Sequence, residues 1–438
     1  MKSTVSGVTS AYEERAGRLI VGRAPVGAGD LSKLLANYET PFFFYNLDHV
    51  AARAELMKSA LVRDAGLPAA IHYALKANAN PRVLKTLKRC GLEVDVVSAG
   101  EADCAVANGF EAKDILFSGV AKTVKELRRA ITLGVKQINV ESLGELERLE
   151  QIVLEMKPSH PVSIGLRLNP NVSPETHPYI TTGLKENKFG LEEDAVFEAV
   201  DRIANTTAAL LFRGLSLHIG SQLLELSALG EALEIGIAVQ RKIGEKLGPR
   251  LAKSMDRFDA GGGIGINYDS IDETTECEVI SKYAHLLKKY LAPEIAAGRT
   301  RELLVEPGRW LVARAGLLIT EVQYTKVTQH KSFVIVDGGM NLLIRPALYE
   351  AEHRIAPLVA ENEAQQSIDK KIDIVGPICE SADFLGRDRT MKSVKQGDRL
   401  AAFDAGAYGR TMASNYNQRG WPAEYVYQNG IVDRADSL

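Results

Sequence analysis

The stretch Ile71-His-Tyr-Ala-Leu-Lys-Ala-Asn-Ala-Asn-Pro-Arg-Val-Leu-Lys-Thr-Leu-Lys-Arg89 contains the pattern that decides the fold. A short apolar run, Ile71–Leu75, precedes a longer helix-like segment, Pro81–Arg89. The same alternation, of runs rich in β-branched residues with amphipathic or charged segments, continues along the chain. It is typical of βα units around a parallel sheet.

Eight strands of this kind can be read along the chain. They are Ile71–Leu75, Glu93–Ser98, Asp114–Ser118, Gln137–Glu141, Val162–Leu168, Phe212–Ile219, Arg257–Ala260 and Leu303–Glu306. The helices between them include Pro81–Arg89, Gly100–Asn108, Thr123–Leu133 and Ser142–Glu155. Two helices begin with a predicted capping box, Thr123-Val-Lys-Glu126 and Ser142-Leu-Gly-Glu145. The pattern predicts an α/β fold, a (β/α)8 TIM-like barrel over residues 45–315.

After Gly316 the pattern changes to strands without long intervening helices. The predicted strands are Leu317–Val327, Ser332–Val336, Lys371–Val375, Asp398–Phe403 and Glu424–Gln428. They predict a second, mainly antiparallel β domain over residues 316–438. The N-terminal segment, residues 1–44, contains a strand-like Pro41–Tyr45 outside the barrel count, and we expect this segment to pack with the β domain.

Composition excludes several classes of function. The chain has 438 residues, of which 45% are hydrophobic and 25% charged, and its formal net charge is −3. This charge provides no excess of positive residues that would indicate binding to nucleic acid or to an anionic membrane. The four cysteines form no C-x-x-C pair, and no metal-ligand cluster stands near a histidine. No signal peptide or membrane-spanning run is visible. We expect a cytoplasmic protein without a metal.

Barrel enzymes place functional residues at the C-terminal ends of strands, and Lys76 follows the first predicted strand. By itself Lys76 fits a solvated loop lysine as well as a reactive amine. A lysine at a barrel mouth can lose solvation, show a lowered pKa and attack an aldehyde. His218 follows the sixth strand, where a histidine is usually structural, although its imidazole could lie flat against an aromatic ring. Ser221 could offer a hydroxyl to the same ligand.

Glycines and an acid follow the last two strands. The cluster Gly261-Gly262-Gly263-Ile-Gly265 could be a simple turn, but its successive N–H groups could also converge on a phosphate. The eighth strand ends in Glu306-Pro307-Gly308-Arg309. A buried carboxylate needs a partner, and a protonated pyridine nitrogen would be one. Arg309 could bind a carboxylate or a phosphate through two hydrogen bonds.

The β domain adds further candidates. Cys379 and Glu380 end a turn-rich segment, where a cysteine is more often a buried apolar side chain than a reactive one. Arg345 and Tyr349 would share a face if residues 341–350 contain a helical turn. Together the candidates offer an amine for an aldehyde, glycines for a phosphate, an acid for a ring nitrogen and arginines for carboxylates. Pyridoxal phosphate carries an aldehyde, a phosphate and a ring nitrogen, which are the partners of the first three of these groups.

At these residues the chain resembles the fold-type III pyridoxal-phosphate decarboxylases, and within them the diaminopimelate decarboxylases. The resemblance runs from about Pro41 to Glu424. The matching segments are Tyr73-Ala-Leu-Lys-Ala-Asn78, Asp95-Val-Val-Ser98, Thr176-His-Pro-Tyr179, Gly183-Leu-Lys-Glu-Asn-Lys-Phe-Gly190, His218-Ile-Gly-Ser-Gln222, Gly261-Gly-Gly263, Glu306-Pro-Gly-Arg309, Met340-Asn341, Ile344-Arg-Pro-Ala-Leu-Tyr349, Gly376-Pro-Ile-Cys-Glu-Ser381 and Asp404-Ala-Gly-Ala-Tyr408. Departures from the family's usual residues are Ala99, Leu342 and Glu352.

The resemblance implies a role for each matching residue. Lys76 would bind pyridoxal 5'-phosphate covalently, and His218 would stack on its ring. The remaining cofactor contacts would be Ser221, Gly262, Gly263, Glu306 with the adjoining Pro307, Gly308 and Arg309, and Tyr408. Substrate contacts would be Arg309, Arg345, Tyr349, Tyr408 and Glu380. Cys379 would be the proton donor and would enter the site with Glu380 from the partner subunit of a homodimer.

The resemblance therefore implies decarboxylation of meso-2,6-diaminopimelate to L-lysine and carbon dioxide, in lysine biosynthesis. One alternative is a related decarboxylase of another basic amino acid, such as D-lysine or D-ornithine. Two others are an alanine-racemase-like enzyme, against which Glu306 and Cys379 argue, and a decarboxylase-like regulator without activity.

Overall fold

The computed structural model of the chain describes residues 12–15, 18–21, 31–173, 187–246, 249–269, 273–358, 371–391 and 393–435. The segment Thr176–Tyr179 and the first part of Gly183–Gly190, both quoted above, lie outside these residues.

Strands and helices are numbered in chain order. The strands are β1 (Tyr12–Arg15), β2 (Arg18–Val21), β3 (Phe42–Asn46), β4 (Ala69–Ala74), β5 (Glu93–Val96), β6 (Ile115–Phe117), β7 (Gln137–Val140), β8 (Val162–Arg167), β9 (Leu210–Ser216), β10 (Arg257–Asp259), β11 (Glu302–Val305), β12 (Gly316–Val327), β13 (Ser332–Val336), β14 (Ile355–Leu358), β15 (Ile372–Val375), β16 (Phe384–Arg389), β17 (Arg399–Ala402), β18 (Ala423–Gln428) and β19 (Ile431–Arg434). The helices are α1 (Leu31–Leu34), α2 (Leu47–Lys58), α3 (Pro81–Arg89), α4 (Ala99–Ala107), α5 (Val124–Leu133), α6 (Leu143–Met156), α7 (Glu193–Asn205), α8 (Ser227–Lys246), α9 (Pro249–Ser254), α10 (Glu273–Ala296), α11 (Arg309–Val312) and α12 (Arg345–Tyr349).

Strands β4 to β11 form a closed parallel barrel in chain order, so the predicted (β/α)8 barrel is confirmed. Each predicted barrel strand overlaps one of these eight. The strand β4 ends one residue earlier than predicted, because Leu75–Ala77 form a turn of 3-10 helix. That turn carries Lys76 over the mouth of the barrel.

The two predicted capping boxes have different outcomes. At α5 the Thr123 side chain and the Glu126 carboxylate satisfy each other's backbone N–H groups, as predicted. At α6 the Ser142 side chain accepts from the Glu145 N–H, but the Glu145 carboxylate accepts from the Glu141 N–H instead. The predicted contact of the Glu145 carboxylate with the Ser142 N–H is wrong, because this carboxylate lies 2.8 Å from the buried Lys122 ammonium.

A second sheet is built around its central strand β12, which pairs antiparallel with β3, β13 and β17. Most of its pairs are antiparallel, and the pairs β13 with β15 and β18 with β3 are parallel. The strand β3, from the N-terminal part of the chain, thus lies within the sheet of the C-terminal strands. The domain boundaries at residues 44/45 and 315/316 stay a prediction.

Sequence patterns missed β14, β16 and β19 in this sheet. The strand β14 contains Pro357, which normally argues against a strand, but β14 pairs only with β17 among the described strands and so tolerates a missing N–H. The strand β16 contains Gly386 and three charged residues, so it has no apolar alternation to detect. Within the described residues, the structure has no helix long and apolar enough to cross a membrane.

A buried ion network ties the barrel to the second sheet. Glu276 of α10 accepts from Arg53 at 3.0 Å and from Arg314 at 2.9 Å, and Arg314 also reaches Asp404 at 3.1 Å. All four side chains are buried, and the Arg53 guanidinium stacks on Trp310. Asp404 begins the segment that leads to Tyr408, so this network fixes the position of Tyr408 relative to the barrel.

Candidate active site

Lys76 lies at the barrel mouth beside a buried carboxylate. Its Nζ donates to Asp95 Oδ2 at 3.1 Å, and Asp95 stands at the end of the neighbouring strand β5. Burial lowers the pKa of Lys76, but the charges of Asp95, Tyr408 and Glu306 outweigh burial and raise it. The lowered pKa that a lysine at a barrel mouth can show is thus not found for Lys76, because the charge of Asp95 lies beside it. The other oxygen of Asp95 is buried without a hydrogen-bond partner among the described residues.

Glu306 and Asp259 form a buried pair of acids below Lys76. Burial, together with Asp259 and Asp95, raises the pKa of Glu306 well above its ordinary value. Asp259 is fully buried and accepts from the Gly261 N–H at 2.9 Å and from the Asn139 amide at 3.2 Å. Burial raises the pKa of Asp259 as well, but these two donors favour its charged form, so Glu306 is the acid of the pair that binds a proton more readily.

His218 is a neutral imidazole in this site. Burial, Arg167 and Lys76 together lower the pKa of His218 well below its ordinary value. Its Nδ1 accepts from the Gly262 N–H at 3.2 Å, and the same nitrogen lies 3.9 Å from Glu306 Oε2. The imidazole is thus oriented by the glycine segment while it remains partly exposed to the cavity.

The glycines of the site leave no room for a side chain. A Cβ atom on Gly262 would lie 2.0 Å from the Glu306 carbonyl oxygen, and one on Gly263 would lie 2.3 Å from that of Gly220. Gly263 also has a φ of +104°, where a side chain is strained. A Cβ on Gly308 would crowd Ala74 and Ala77 at 3.1 Å, and the Pro307 carbonyl accepts from the Ala74 N–H. Pro307 and Gly308 thus fix Glu306 and Arg309 against the end of β4.

Arg309 is held by hydroxyl groups and an aromatic ring. Its guanidinium donates to Tyr268 Oη at 2.8 Å and to Ser221 Oγ at 3.0 Å, and lies 4.8 Å from the centre of the Tyr408 ring. The Tyr408 N–H donates to the Ala77 carbonyl at 2.8 Å, which brings Tyr408 beside Lys76. Ser221, Arg309 and Tyr408 are therefore brought together, as the sequence predicted.

Arg345 and Tyr349 lie on the one-turn helix α12, so the expected helical turn is present. Arg345 Nη1 lies 2.6 Å from His353 Nε2, and the Arg345 guanidinium lies over the Tyr268 ring. Tyr349 lies close enough to Arg309 to contribute to the raised pKa of Arg309. The two arginines thus share Tyr268 as a neighbour.

Cys379 and Glu380 lie apart from this group. Cys379 is exposed, and the Glu380 carboxylate accepts from the exposed Tyr416 hydroxyl at 2.6 Å. The loop that carries them is fixed by Asp383, whose carboxylate accepts from the Met340 N–H at 2.6 Å and the Ile378 N–H at 2.5 Å. Within one chain, these two predicted residues are therefore not brought to Lys76.

Two cavities meet at Lys76. One, of about 430 Å³, is lined by His218, Glu306, Arg167 and Asn139 at the barrel mouth. The other, of about 590 Å³, is lined by Tyr408, Arg410, Trp421 and Glu101 between the barrel and the second sheet. Neither Cys379 nor Glu380 is among the described residues that line them.

Sequence reasoning missed several residues of the site, four of which set its charges or hold its two arginines. These four are Asp95, Asp259, Tyr268 and His353. Signals for two of them exist in the sequence, because Asp95 and Asp259 are acids within the otherwise mainly apolar predicted barrel strands Glu93–Ser98 and Arg257–Ala260. Tyr268 and His353 lie in loops, where no periodicity marks a functional side chain.

Comparisons with known proteins agree with this geometry. The family described as pyridoxal-dependent decarboxylase, pyridoxal binding domain, matches residues 47–313. The diaminopimelate decarboxylase of Pseudomonas aeruginosa is 43% identical over 398 residues, which cover 90% of this chain and 89% of that protein. This chain belongs to the diaminopimelate decarboxylase family.

Solved members of the family share the whole fold. The diaminopimelate decarboxylase of Helicobacter pylori complexed with L-lysine has a TM-score of 0.81 at 35% identity and covers 93% of this chain and 96% of its own. The diaminopimelate decarboxylase of M. jannaschii in complex with L-lysine has a TM-score of 0.85 at 31% identity and covers 97% and 94%. The expectation of a pyridoxal-dependent decarboxylase is confirmed.

Proposed function

We propose that this chain decarboxylates meso-2,6-diaminopimelate to L-lysine and carbon dioxide, with pyridoxal phosphate bound at Lys76. The observation that carries the choice of substrate is the pair of buried arginines, Arg309 and Arg345. Their side chains are only 6% and 4% exposed, and neither forms an ion pair with a carboxylate of the described residues. A substrate with a second carboxylate would supply the missing charge.

Substrate size and charge support this choice over other basic amino acids. D-Lysine and D-ornithine have no distal carboxylate, so an arginine would remain buried and unpaired, at a cost on the order of 1–3 kcal/mol. Tyr349 beside Arg309 adds a hydroxyl to the same end of the site. The solved relatives that bind L-lysine are consistent with this product.

The residues around Lys76 fit pyridoxal phosphate. An amine, a buried acid with a raised pKa and a neutral imidazole line one cavity, and the crowded Gly262 donates its N–H to that imidazole. Lys76 would bind the cofactor covalently, Glu306 would face the ring nitrogen and His218 would stack on the ring. Ser221, Gly262, Gly263 and Tyr408 would hold the phosphate. When bound, pyridoxal phosphate withdraws electrons from the bond to the departing carboxylate.

The protein's own groups then have distinct roles. The raised pKa of Glu306 favours its protonated form, from which it would donate a hydrogen bond or a proton to a ring nitrogen. Arg309, Arg345 and Tyr349 bind the distal carboxylate and thereby orient the carbon that reacts. Cys379 delivers a proton to that carbon, and Glu380 pairs with the distal ammonium.

Cys379 and Glu380 are proposed to reach the site from a partner subunit. Both are exposed on a loop that Asp383 fixes, and neither lines a described cavity at Lys76. Among the described residues of a single chain, Cys379 therefore does not reach the cavities at Lys76. A homodimer in which each loop enters the other subunit's site completes both sites.

The substrate assignment is tested by comparing kcat/KM for meso-diaminopimelate, D-lysine and D-ornithine, with the product identified by mass spectrometry. We expect L-lysine from meso-diaminopimelate, and much lower values for the other two. A higher value for either diamine would contradict the assignment.

The shared site is tested by mixing two inactive variants, Lys76→Ala and Cys379→Ala. The Lys76→Ala variant should lose the visible absorption of the bound cofactor, and Cys379→Ala should keep it. Mixed dimers contain one site with neither defect and should recover up to about a quarter to a half of the activity expected from native sites. Absence of recovery in confirmed mixed dimers would exclude sharing.

A further inference from the structure

We infer that His353 is a positioning residue that fixes Arg345 for the distal carboxylate, and that it does so because it is a neutral acceptor. The inference rests on the proposed function, since it assigns a role to the partner of a substrate-binding arginine. It concerns how the site selects a substrate with a second carboxylate.

Two contacts determine the tautomer of His353. Its Nδ1 lies 2.7 Å from the Phe403 carbonyl oxygen, and its Nε2 lies 2.6 Å from Arg345 Nη1. A carbonyl oxygen only accepts, so Nδ1 carries the hydrogen. Nε2 therefore has a free lone pair, and it accepts a hydrogen bond from the guanidinium. The imidazole thus connects Arg345 to the backbone beside β17.

The surroundings keep His353 uncharged. The side chain is fully buried. Burial first, then the positive charges of Arg345, Arg309 and Arg389, lower its pKa to about 3, against a smaller opposite effect of the Phe403 carbonyl. The aromatic ring of Tyr268 also packs against His353, with the two ring centres 5.2 Å apart.

A neutral acceptor has a consequence that a carboxylate would not have. An aspartate or glutamate at this position would also hold Arg345, but it would neutralise the guanidinium. His353 orients the guanidinium and leaves its positive charge for the ligand. Tyr268 acts in the same way on Arg309, because its hydroxyl is a neutral acceptor at 2.8 Å. The two arginines therefore face the ligand with both charges uncompensated.

Glu352, the residue before His353, pairs with a different arginine. Glu352, which departs from the family's usual residue, is mainly exposed and pairs with Arg389 at 3.0 Å. Its carboxylate does not contact Arg345 or Arg309. Glu352 therefore supplies a matched control one position away from His353.

The test uses the holoenzyme and two ligands that differ by one group. L-Lysine keeps the carboxylate that is distal in meso-diaminopimelate, whereas cadaverine is the same diamine without it. Calorimetric titration of the native enzyme with both should show tighter binding of L-lysine. Equal binding of both ligands would instead contradict the proposed function, because the arginines would then not bind a distal carboxylate.

Three variants test His353 itself. His353→Gln keeps a neutral acceptor long enough to reach Arg345, and it should retain the preference for L-lysine. His353→Glu has the same length but a negative charge, and it should lose that preference. His353→Asn donates to Phe403 but is too short to reach Arg345. It should weaken L-lysine binding roughly ten- to a hundred-fold, the effect of one lost charged hydrogen bond, without changing cadaverine binding.

Outcomes of these measurements separate positioning from a structural role. In His353→Asn, KM for meso-diaminopimelate should rise more than kcat falls, and the cofactor absorption should remain. The control Glu352→Gln should match the native enzyme. Equal weakening of L-lysine and cadaverine in His353→Asn, or a full preference for L-lysine in His353→Glu, would overturn the inference. The Gln and Glu variants have the same size, so their comparison stands even if the Asn variant is unstable.

Discussion

Replacement of Asp95 by asparagine removes the charge that lies 3.1 Å from the Lys76 ammonium while keeping the size of the side chain. At this distance Coulomb's law with an effective dielectric constant of about 20 gives about 5 kcal/mol. The Lys76 side chain is 36% exposed, so solvent screening reduces this value toward the ~1 kcal/mol of exposed pairs. A loss of about 1–4 kcal/mol corresponds to a fall of about one to three units in the pKa of Lys76.

The assay measures the pKa of Lys76 in the full-length protein freed of cofactor. Acylation of its amine by a water-soluble ester is followed against pH, and the modified peptide is quantified by mass spectrometry. The rate profile of Asp95→Asn should move to lower pH, because burial remains and its main opposing charge is gone. The control is Asp103→Asn, which removes an exposed acid paired with Arg129. An unchanged or upward-shifted profile for Asp95→Asn would refute the proposed control of Lys76 by Asp95.

Two further predictions concern space and pH. Gly262→Ala places a Cβ 2.0 Å from the Glu306 carbonyl oxygen, so we expect lower thermal stability and loss of cofactor absorption, whereas the exposed helix control Gly144→Ala should keep both. His353 has a pKa of about 3 in the folded chain, below its ordinary 6.5, so the unfolded chain binds more protons and stability falls as pH decreases from 6.5 toward 3. His353→Gln should reduce that slope by up to about 1.4 kcal/mol per pH unit in urea unfolding between pH 6.5 and 5, and an unchanged slope would contradict the low pKa.

Much of the barrel and of its mouth could be predicted from local patterns. Alternating apolar runs and helical segments located all eight barrel strands, and parallel strands bring their C-terminal ends to one edge. Lys76, His218, Gly262 and Glu306 each follow a strand, so their grouping required only the order of the strands. Lys76, His218 and Glu306 line one cavity, and the Gly262 N–H donates to His218, so their mutual approach is confirmed.

Local patterns gave no information where long-range electrostatics decides. The raised pKa of Lys76 depends on Asp95 across β4 and β5, and the raised pKa of Glu306 depends on Asp259 across β10 and β11. The capping box at Glu145 failed because Lys122, from a different βα unit, attracts the carboxylate. None of these contacts leaves a periodic mark in the sequence.

The sequence by itself determined the cofactor, because Lys76, His218 and Glu306 each follow a barrel strand and the strand order alone brings the ends of these strands together. The tertiary structure decided the charge states and the substrate end of the site. Arg345 is oriented by His353, which the Phe403 carbonyl holds from 50 residues away, and Arg309 is oriented by Tyr268 from a loop. Such contacts depend on how the two parts of the chain pack, and local propensity carries no information about that packing.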